Sequence, residues 1–395
     1  MSVWEDLVGQ GRAVAQLGEA AADARAVLEG STARGAMTHA WLFTGPPGSG
    51  RSLAARAFAA ALQCLDLAGP AGCGHCEACH QVLVGTHPDV AQVVPEGLSL
   101  GVEEAREIIT RASRRPLRGR WQVTLIEDAD RMTEQANNAV LKTVEEPPEH
   151  SVLLICAPSS EDLLPTIRSR CRLVGLVTPS GAEVAEVLVR RDGVDPAMAA
   201  FAARASQGHV GRARRLATDE EARRERRDVL ALPRSLGTVA TALAAAKDLV
   251  DAAKEESDRR TGARDAVERS SLETALGAGA TGKGVTGSVR GGAGALKELE
   301  KRQRSRGTRT SRDALDRALV DLAAFYRDVL VVQLGTASDL VHGDLGEQAA
   351  VIARATTAEA TLRRLDAVLA CRAAVDANVA PLLAVEALAL ALRDA

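Results

Sequence analysis

The eight residues Gly45-Pro46-Pro47-Gly48-Ser49-Gly50-Arg51-Ser52 restrict this chain more than any other stretch. They lie between an apolar run, Ala40-Trp41-Leu42-Phe43, and a helical pattern beginning Leu53-Ala54-Ala55-Arg56-Ala57-Phe58, so the order is strand, glycine loop, helix. Glycines let consecutive backbone N–H groups converge on phosphate oxygens, and a helix N-terminus adds positive potential there. The run is expected to be a phosphate-binding loop able to hold ATP or ADP; the plainer alternative is a Gly/Pro turn ahead of a helix. It departs from G-x-x-x-x-G-K-[ST] at one place, where Arg51 stands for lysine.

The pattern around the loop sets the fold class. Apolar runs at 40–44, 90–94, 122–126, 152–156 and 171–177 alternate with helical periods at 52–67, 102–114 and 134–145. Alternation of this kind predicts an α/β domain, a mostly parallel sheet with helices on both faces, whose ligands bind at the carboxyl ends of the strands. A helix over 14–28 precedes it, and helices at 180–190, 197–205 and 210–217 follow. Expected domain bounds are 1–177 for the sheet domain, 178–218 for a small helical lid and 219–395 for an all-helical third domain. Aromatics are 2% of the residues, so the cores are to be built from Ala, Leu and Val, which suits helix packing. Within the third domain, 277–294 is glycine-rich, and the stretch from Ala280 to Arg312 carries nine Lys/Arg against two Glu. A flexible basic insertion over about 277–312 is expected, solvated rather than bound to nucleic acid.

Cys64, Cys73, Cys76 and Cys79 have the spacing C-x8-C-x2-C-x2-C. Thiolates two residues apart wrap one side of a tetrahedral zinc, and four of them leave no open position for chemistry, so a structural zinc is expected. The opposing possibility is four free cysteines. Cys156 and Cys371 fall in apolar runs and read as core.

A hydrolytic phosphate site also needs carboxylates at a neighbouring strand end. Glu127 and Asp128 follow the run 123–126, but in the order Glu-Asp rather than Asp-Glu, which makes one side chain a methylene too long and the other one too short. Arg51 adds a planar guanidinium where a compact ammonium belongs. Efficient hydrolysis by this chain alone is not expected. A net charge of −3 and a pI near 6.2 argue against coating of nucleic acid by bulk charge. Neither a secretion signal nor a membrane span is evident, the nearest apolar run (379–392) being cut by Glu386, so a cytoplasmic chain is expected.

Several stretches together resemble one family, the bacterial clamp-loader subunits: His39-Ala40-Trp41-Leu42-Phe43-Thr44-Gly45-Pro46, the four cysteines, Gly119-Arg120-Trp121-Gln122-Val123, the run from Ala136-Asn137-Asn138 through Glu145-Glu146-Pro147-Pro148, and Ile167-Arg168-Ser169-Arg170-Cys171. Asp376-Ala377-Asn378-Val379 with Leu382 to Leu388 resembles that family's last collar helix. The resemblance is strong over about the first 215 residues and weaker beyond. It implies an AAA+ P-loop domain, a helical lid and a helical collar in a ring of five subunits. The partners it implies are gamma/tau and delta subunits, with the sliding clamp and primer-template DNA met through the complex. It also implies that Arg170, with Ser169 and Cys171 of its motif, serves as an arginine finger on ATP held by the next subunit. Ala157-Pro158 after the fourth strand, and Gly211 with Arg212 one place off in the lid, depart from the motor subunits as Arg51 does. A non-motor member is the expectation; the alternatives are an active gamma/tau-like ATPase and a DNA-binding protein working through the basic insertion.

Overall fold

The structure, a computed structural model, describes residues 2–30, 35–118, 120–276 and 288–394. Gly119 of the family stretch and the glycine-rich residues 277–287 lie outside the described residues. The chain divides into two units, residues 1–95 with 99–218, and residues 96–98 with 219–395.

In the first unit, α1 (Gly11–Leu28) leads into β1 (Ala40–Thr44) and α2 (Arg51–Gln63). Next come α3 (Glu77–Leu83), β2 (Val90–Val93), α4 (Val102–Ala112) and β3 (Gln122–Ile126). They are followed by α5 (Glu134–Glu145), β4 (Ser151–Ala157), α6 (Pro165–Arg168) and β5 (Arg172–Gly175). Three helices in the span expected as a separate lid close the same unit: α7 (Gly181–Asp192), α8 (Pro196–Ala205) and α9 (Val210–Thr218). The strands form one five-stranded sheet in the order β2-β3-β4-β1-β5, and every pair is parallel. This is the α/β arrangement, a parallel sheet with helices on both faces, expected from the alternation of elements.

The central strands are apolar along their whole length because helices cover both faces. Trp41 and Phe43 of β1 enter one core with Val152, Leu154 and Cys156 of β4, against α1 and α2. The intervening Ala40 and Leu42 enter a second core with Leu153, Ile155 and Ala157, against α4 and α5. Trp41 meets Phe58 of α2 edge-on at 4.9 Å and donates its indole N–H to the Thr38 carbonyl at 2.8 Å. The helix expected over 52–67 stops at Gln63, since Cys64 adopts ψ 127 and turns the chain into the cysteine segment. The short α3 was not anticipated, because seven residues give too little periodicity to register.

The second unit is helical: α10 (Glu220–Ala231), α11 (Val239–Ala275), α12 (Ser288–Leu334), α13 (Gly346–Ala355), α14 (Ala358–Asp376) and α15 (Pro381–Asp394). Leu315, Leu319, Leu322 and Tyr326 of α12 pack with Ala242, Ala246 and Leu249 of α11, Val368 and Cys371 of α14, and Leu388 of α15. The segment expected to be flexible as far as 312 is helical from Ser288 onward. It lies along α11 through polar bonds: Ser257 Oγ donates to Gly307 O at 2.9 Å, Gln303 to Asp265 O at 2.9 Å, and Arg306 pairs with Glu268 at 2.7 Å and Asp265 at 3.0 Å. The cations expected to be solvated are thus partly engaged by the facing helix, a pattern that apolar periodicity does not detect.

Candidate functional site

The glycine loop leaves β1 at the carboxyl edge of the sheet and enters α2. Gly45, Gly48 and Gly50 all have positive φ (153°, 86° and 91°). A Cβ on Gly45 would lie 2.6 Å from the Leu176 carbonyl oxygen, and one on Gly48 would lie 2.5 Å from Cβ of His209, so neither position accepts a larger residue. Gln10 ties the loop to its surroundings. Its amide donates to Ser49 O at 3.2 Å and Val177 O at 2.7 Å and accepts from Val177 N at 3.1 Å. A cavity of about 500 Å3 opens beside the loop, lined by Gly48, Arg51, Ser52 and, from the lid, His209 and Arg214. Its size and the converging loop suit a nucleotide phosphate. Pro46 and Pro47 stand in the loop's first turn, where Ser49 N bonds the Pro46 carbonyl at 3.1 Å.

Arg51 is the misfit. Its guanidinium donates to the Gly45 carbonyl, folding back across the loop it should leave open. Glu127 accepts from Gln92 and lies 3.9 Å from Arg56, so its carboxylate is already engaged. Asp128 has a left-handed backbone (φ 46°), uncommon for a residue with a side chain and characteristic of functional turns. Burial, then the adjacent charge of Asp128, hold the Asp130 carboxyl above its ordinary range, while Arg51 pulls the other way. Burial and the charge of Glu127 likewise raise the Cys156 thiol, again opposed by Arg51. Arg51, Glu127 and Asp128, at the ends of β1, β3 and β4, thus share one electrostatic neighbourhood. After β4, Pro158 offers only its carbonyl, which accepts from Gly45 N at 3.1 Å. In the lid, Arg212 N bonds His209 Nδ1 at 3.3 Å, and Arg214 is paired with Asp192 at 2.7 Å.

Arg170 stands elsewhere. It follows α6 and precedes β5, whose Arg172 pairs with Trp41 while its Gly175 pairs with Thr44. In a parallel sheet this puts Arg170 at the amino edge, roughly 15 Å of strand away from the loop at the carboxyl edge. Its guanidinium donates to Thr166 O at 2.9 Å and Ser169 Oγ at 3.2 Å and pairs with Glu145 at 2.8 Å, while its side chain remains 42% exposed. Ser169 Oγ donates in turn to Thr166 O at 3.0 Å. Burial pushes the Cys171 thiol up to about 12, so it is inert at neutral pH. Glu145 is the partner sequence reasoning missed. It stood within the quoted family stretch, but nothing local linked residues 25 positions apart.

The Sγ atoms of Cys64, Cys73, Cys76 and Cys79 all lie within 4.8 Å of one another. A tetrahedral zinc with sulfur at about 2.3 Å sets its ligands about 3.8 Å apart, so the cluster fits with a small contraction. Cys76 N donates to Cys73 Sγ at 3.3 Å and Cys79 N to Cys76 Sγ at 3.5 Å, bonds that favour thiolates. Cys76 is brought down to about 6 by backbone hydrogen bonds from Cys79 and Leu65 working against burial. His75 lies outside the four-sulfur set, in a second group with Asp66 and Cys73 whose ligand atoms also lie within 4.8 Å of one another.

The family model described as DNA polymerase III, delta subunit, matches residues 21–180. Over those residues the chain is similar to this family. The DNA polymerase III subunit delta' of Pseudomonas aeruginosa is 37% identical over 163 residues, 41% of this chain and 50% of that protein. The gamma/tau subunit of Mycobacterium tuberculosis is 38% identical over 139 residues, 34% of this chain and 24% of that one. A DNA polymerase III gamma subunit-related protein of Thermotoga maritima covers 95% of the chain at 16% identity, with a TM-score of 0.37. The chain thus spans half or less of the length of these two sequence relatives. Delta-prime and gamma/tau relatives match at nearly equal identity. No helix among the described residues is long and apolar enough to cross a membrane.

Proposed function

We propose that the chain is a non-motor, delta-prime-like subunit of the DNA polymerase III clamp loader. It would help load the sliding clamp onto primed DNA within a ring that includes gamma/tau and delta subunits. One observation carries this reading: Arg170 is held exposed at the sheet edge opposite the chain's own phosphate loop, so any triphosphate it serves belongs to a neighbour. A guanidinium supplied in trans stabilises charge that develops on a transferred phosphoryl group, an effect worth roughly 10³ to 10⁵ in rate. The chain's own loop fits the complementary, passive role. Arg51 bonds the Gly45 carbonyl, and Glu127 is occupied by Gln92 and Arg56, so neither is free for phosphate or magnesium. The cysteine cluster would hold a structural zinc that adds stability and takes no part in chemistry.

Reconstitution of the ring with its gamma/tau and delta subunits tests the reading. Arg170→Ala should leave assembly intact, by gel filtration, and strongly reduce ATP turnover at the one interface this chain serves. The purified chain alone should release no phosphate above background. Full turnover in the variant ring would make Arg170 an ordinary surface ion pair, and steady turnover by the isolated chain, abolished by Asp128→Ala, would make the chain a motor.

A further inference from the structure

The second unit contains a groove of about 580 Å3 that the sites above do not use. One wall is α10 and the turn after it, the other is the first half of α11, and Ala314 and Ala318 of α12 close the back. Leu232 and Leu249, each 7% exposed, form the floor with small alanines between them. The rim is acidic. Glu221, Glu225 and Asp228 line it from α10, and Asp248, Glu255 and Glu256 from α11, against the single cation Arg259.

Three of the six rim carboxylates are paired, among them Glu221 with Arg224 at 2.9 Å. Glu225 is bonded to Arg259, and the buried Glu256 is held by Arg317 at 2.6 Å and Arg260 at 3.5 Å. Asp228, Asp248 and Glu255 are exposed and have no hydrogen bond or ion pair with any described residue. Farther along the same helices the carboxylates are matched: Asp265 and Glu268 by Arg306, Glu273 by Arg269, Glu300 by Arg269 and Arg304. The chain has 49 basic residues, so the gap along the groove is not a shortage of cations.

We propose that this groove docks an amphipathic helix of a partner protein, apolar on one face and flanked by Lys or Arg at two-turn spacing. The register suits a helix. Glu221, Glu225 and Asp228 stand at i, i+4 and i+7, and Asp248 and Glu255 are seven apart, so each wall repeats its charge about every 10 Å, the two-turn rise of a helix laid between them. An apolar floor between charged walls is the arrangement by which a groove takes the apolar stripe of a helix, and the charges set its orientation. The described residues of this unit contain no strand, so an added strand has no edge to join. Nucleic acid and anionic lipid surfaces are repelled by the rim.

The test uses the full chain and a fluorescein-labelled Leu/Lys amphipathic peptide of about five turns, titrated by fluorescence anisotropy near 0.15 M salt. Micromolar binding is expected. The combined change Asp228→Ala, Asp248→Ala, Glu255→Ala should weaken it about tenfold or more. Ala252→Trp or Ala244→Trp should do the same with every carboxylate kept, because the exposed alanine is replaced by a side chain that fills the floor. Glu220→Ala, Asp258→Ala, Glu347→Ala removes as much charge elsewhere in the unit and should change the affinity less than about twofold. Unaltered thermal melts by circular dichroism establish that each variant is folded. The proposal is overturned by absence of binding, by equal loss in the control triple, or by binding indifferent to the tryptophan variants, which would be bulk charge attraction. It is also overturned by a concentration-dependent dimer, seen by sedimentation and abolished by the groove triple, since the occupant would then be a second copy.

Discussion

Arg51 and Arg170 are the same side chain in opposite settings. Arg51 opens α2, and its planar fork finds the Gly45 carbonyl within its own loop. Arg170 is fastened by Thr166, Ser169 and Glu145 and is still accessible. A lysine at 51 has a compact ammonium on a flexible stem that can sit among phosphate oxygens without bridging the loop. Arg51→Lys should therefore tighten binding of a fluorescent ADP analogue by about tenfold, a difference of about 1.4 kcal/mol. Unchanged affinity would shift the blame to His209, whose side chain packs on Gly48. Glu145 should matter through geometry. As an exposed ion pair it contributes no more than about 1 kcal/mol to stability. Yet Glu145→Gln should lower ring ATP turnover in the same direction as Arg170→Ala, by a smaller factor, with the melting temperature nearly unchanged. The two arginines also differ in legibility. The motif around Arg51 is contiguous, and its departure from lysine is visible in the sequence, whereas the pairing of Arg170 with Glu145 exists only once α5 and α6 are packed.

At the scale of elements, strands and helices with an apolar period were placed by sequence to within a few residues, because burial on a face writes itself into the chain. β1 at Ala40–Thr44 and α5 at Glu134–Glu145 are cases in point. The first half of α12 was missed for the converse reason. Its neighbour α11 meets it through arginines, carboxylates and main-chain carbonyls, so there is no apolar stripe to read. That arm should be acid-sensitive. Hydrogen bonding from Arg306, first, and then Arg264 brings Glu268 down to about 2 from its usual 4.5, against burial. A carboxylate with a depressed folded pKa contributes stability above its unfolded pKa and loses it as pH falls through the folded one. Helicity of the α11–α12 arm should accordingly weaken between about pH 4.5 and 2, and Glu268→Gln should remove part of that dependence, as followed by amide hydrogen exchange. The cysteine segment is a second element, one whose stability the proposed zinc would raise beyond what the burial of Cys64 and Cys79 provides. Cys73→Ser or chelation should release one zinc equivalent, measured by atomic absorption. With free zinc about a thousandfold above Kd, the loss amounts to about 4 kcal/mol of stability. Protein purified without metal at full stability would count against the site.

For the whole molecule, the decisive feature is that each unit has its own hydrophobic core. The first rests on Trp41, Phe43, Phe58 and the strands around them, and the second on Leu315, Leu319, Leu322 and Tyr326. The end of the strands at 175 led the sequence reading to expect a separate lid over 178–218, which groups with the first unit; the groove between α10 and α11 was not legible, since it comes from alanines that sequence alone assigns to helix packing. Separate cores imply separable stability. Leu319 is fully buried, and Leu319→Ala leaves a cavity worth about 2–5 kcal/mol. In the intact chain this variant should lower hydrogen-exchange protection across the helices of the second unit while the protection of β1, β3 and β4 stays at its parent level. Phe58→Ala, at an equally buried position in α2, should produce the reverse pattern. An equal loss in both units from either substitution would show one cooperative body instead. The outcome bears on the proposed mechanism as well as on stability, because an arginine serving a neighbour's triphosphate would be best held by a unit whose rigidity does not depend on the second set of helices.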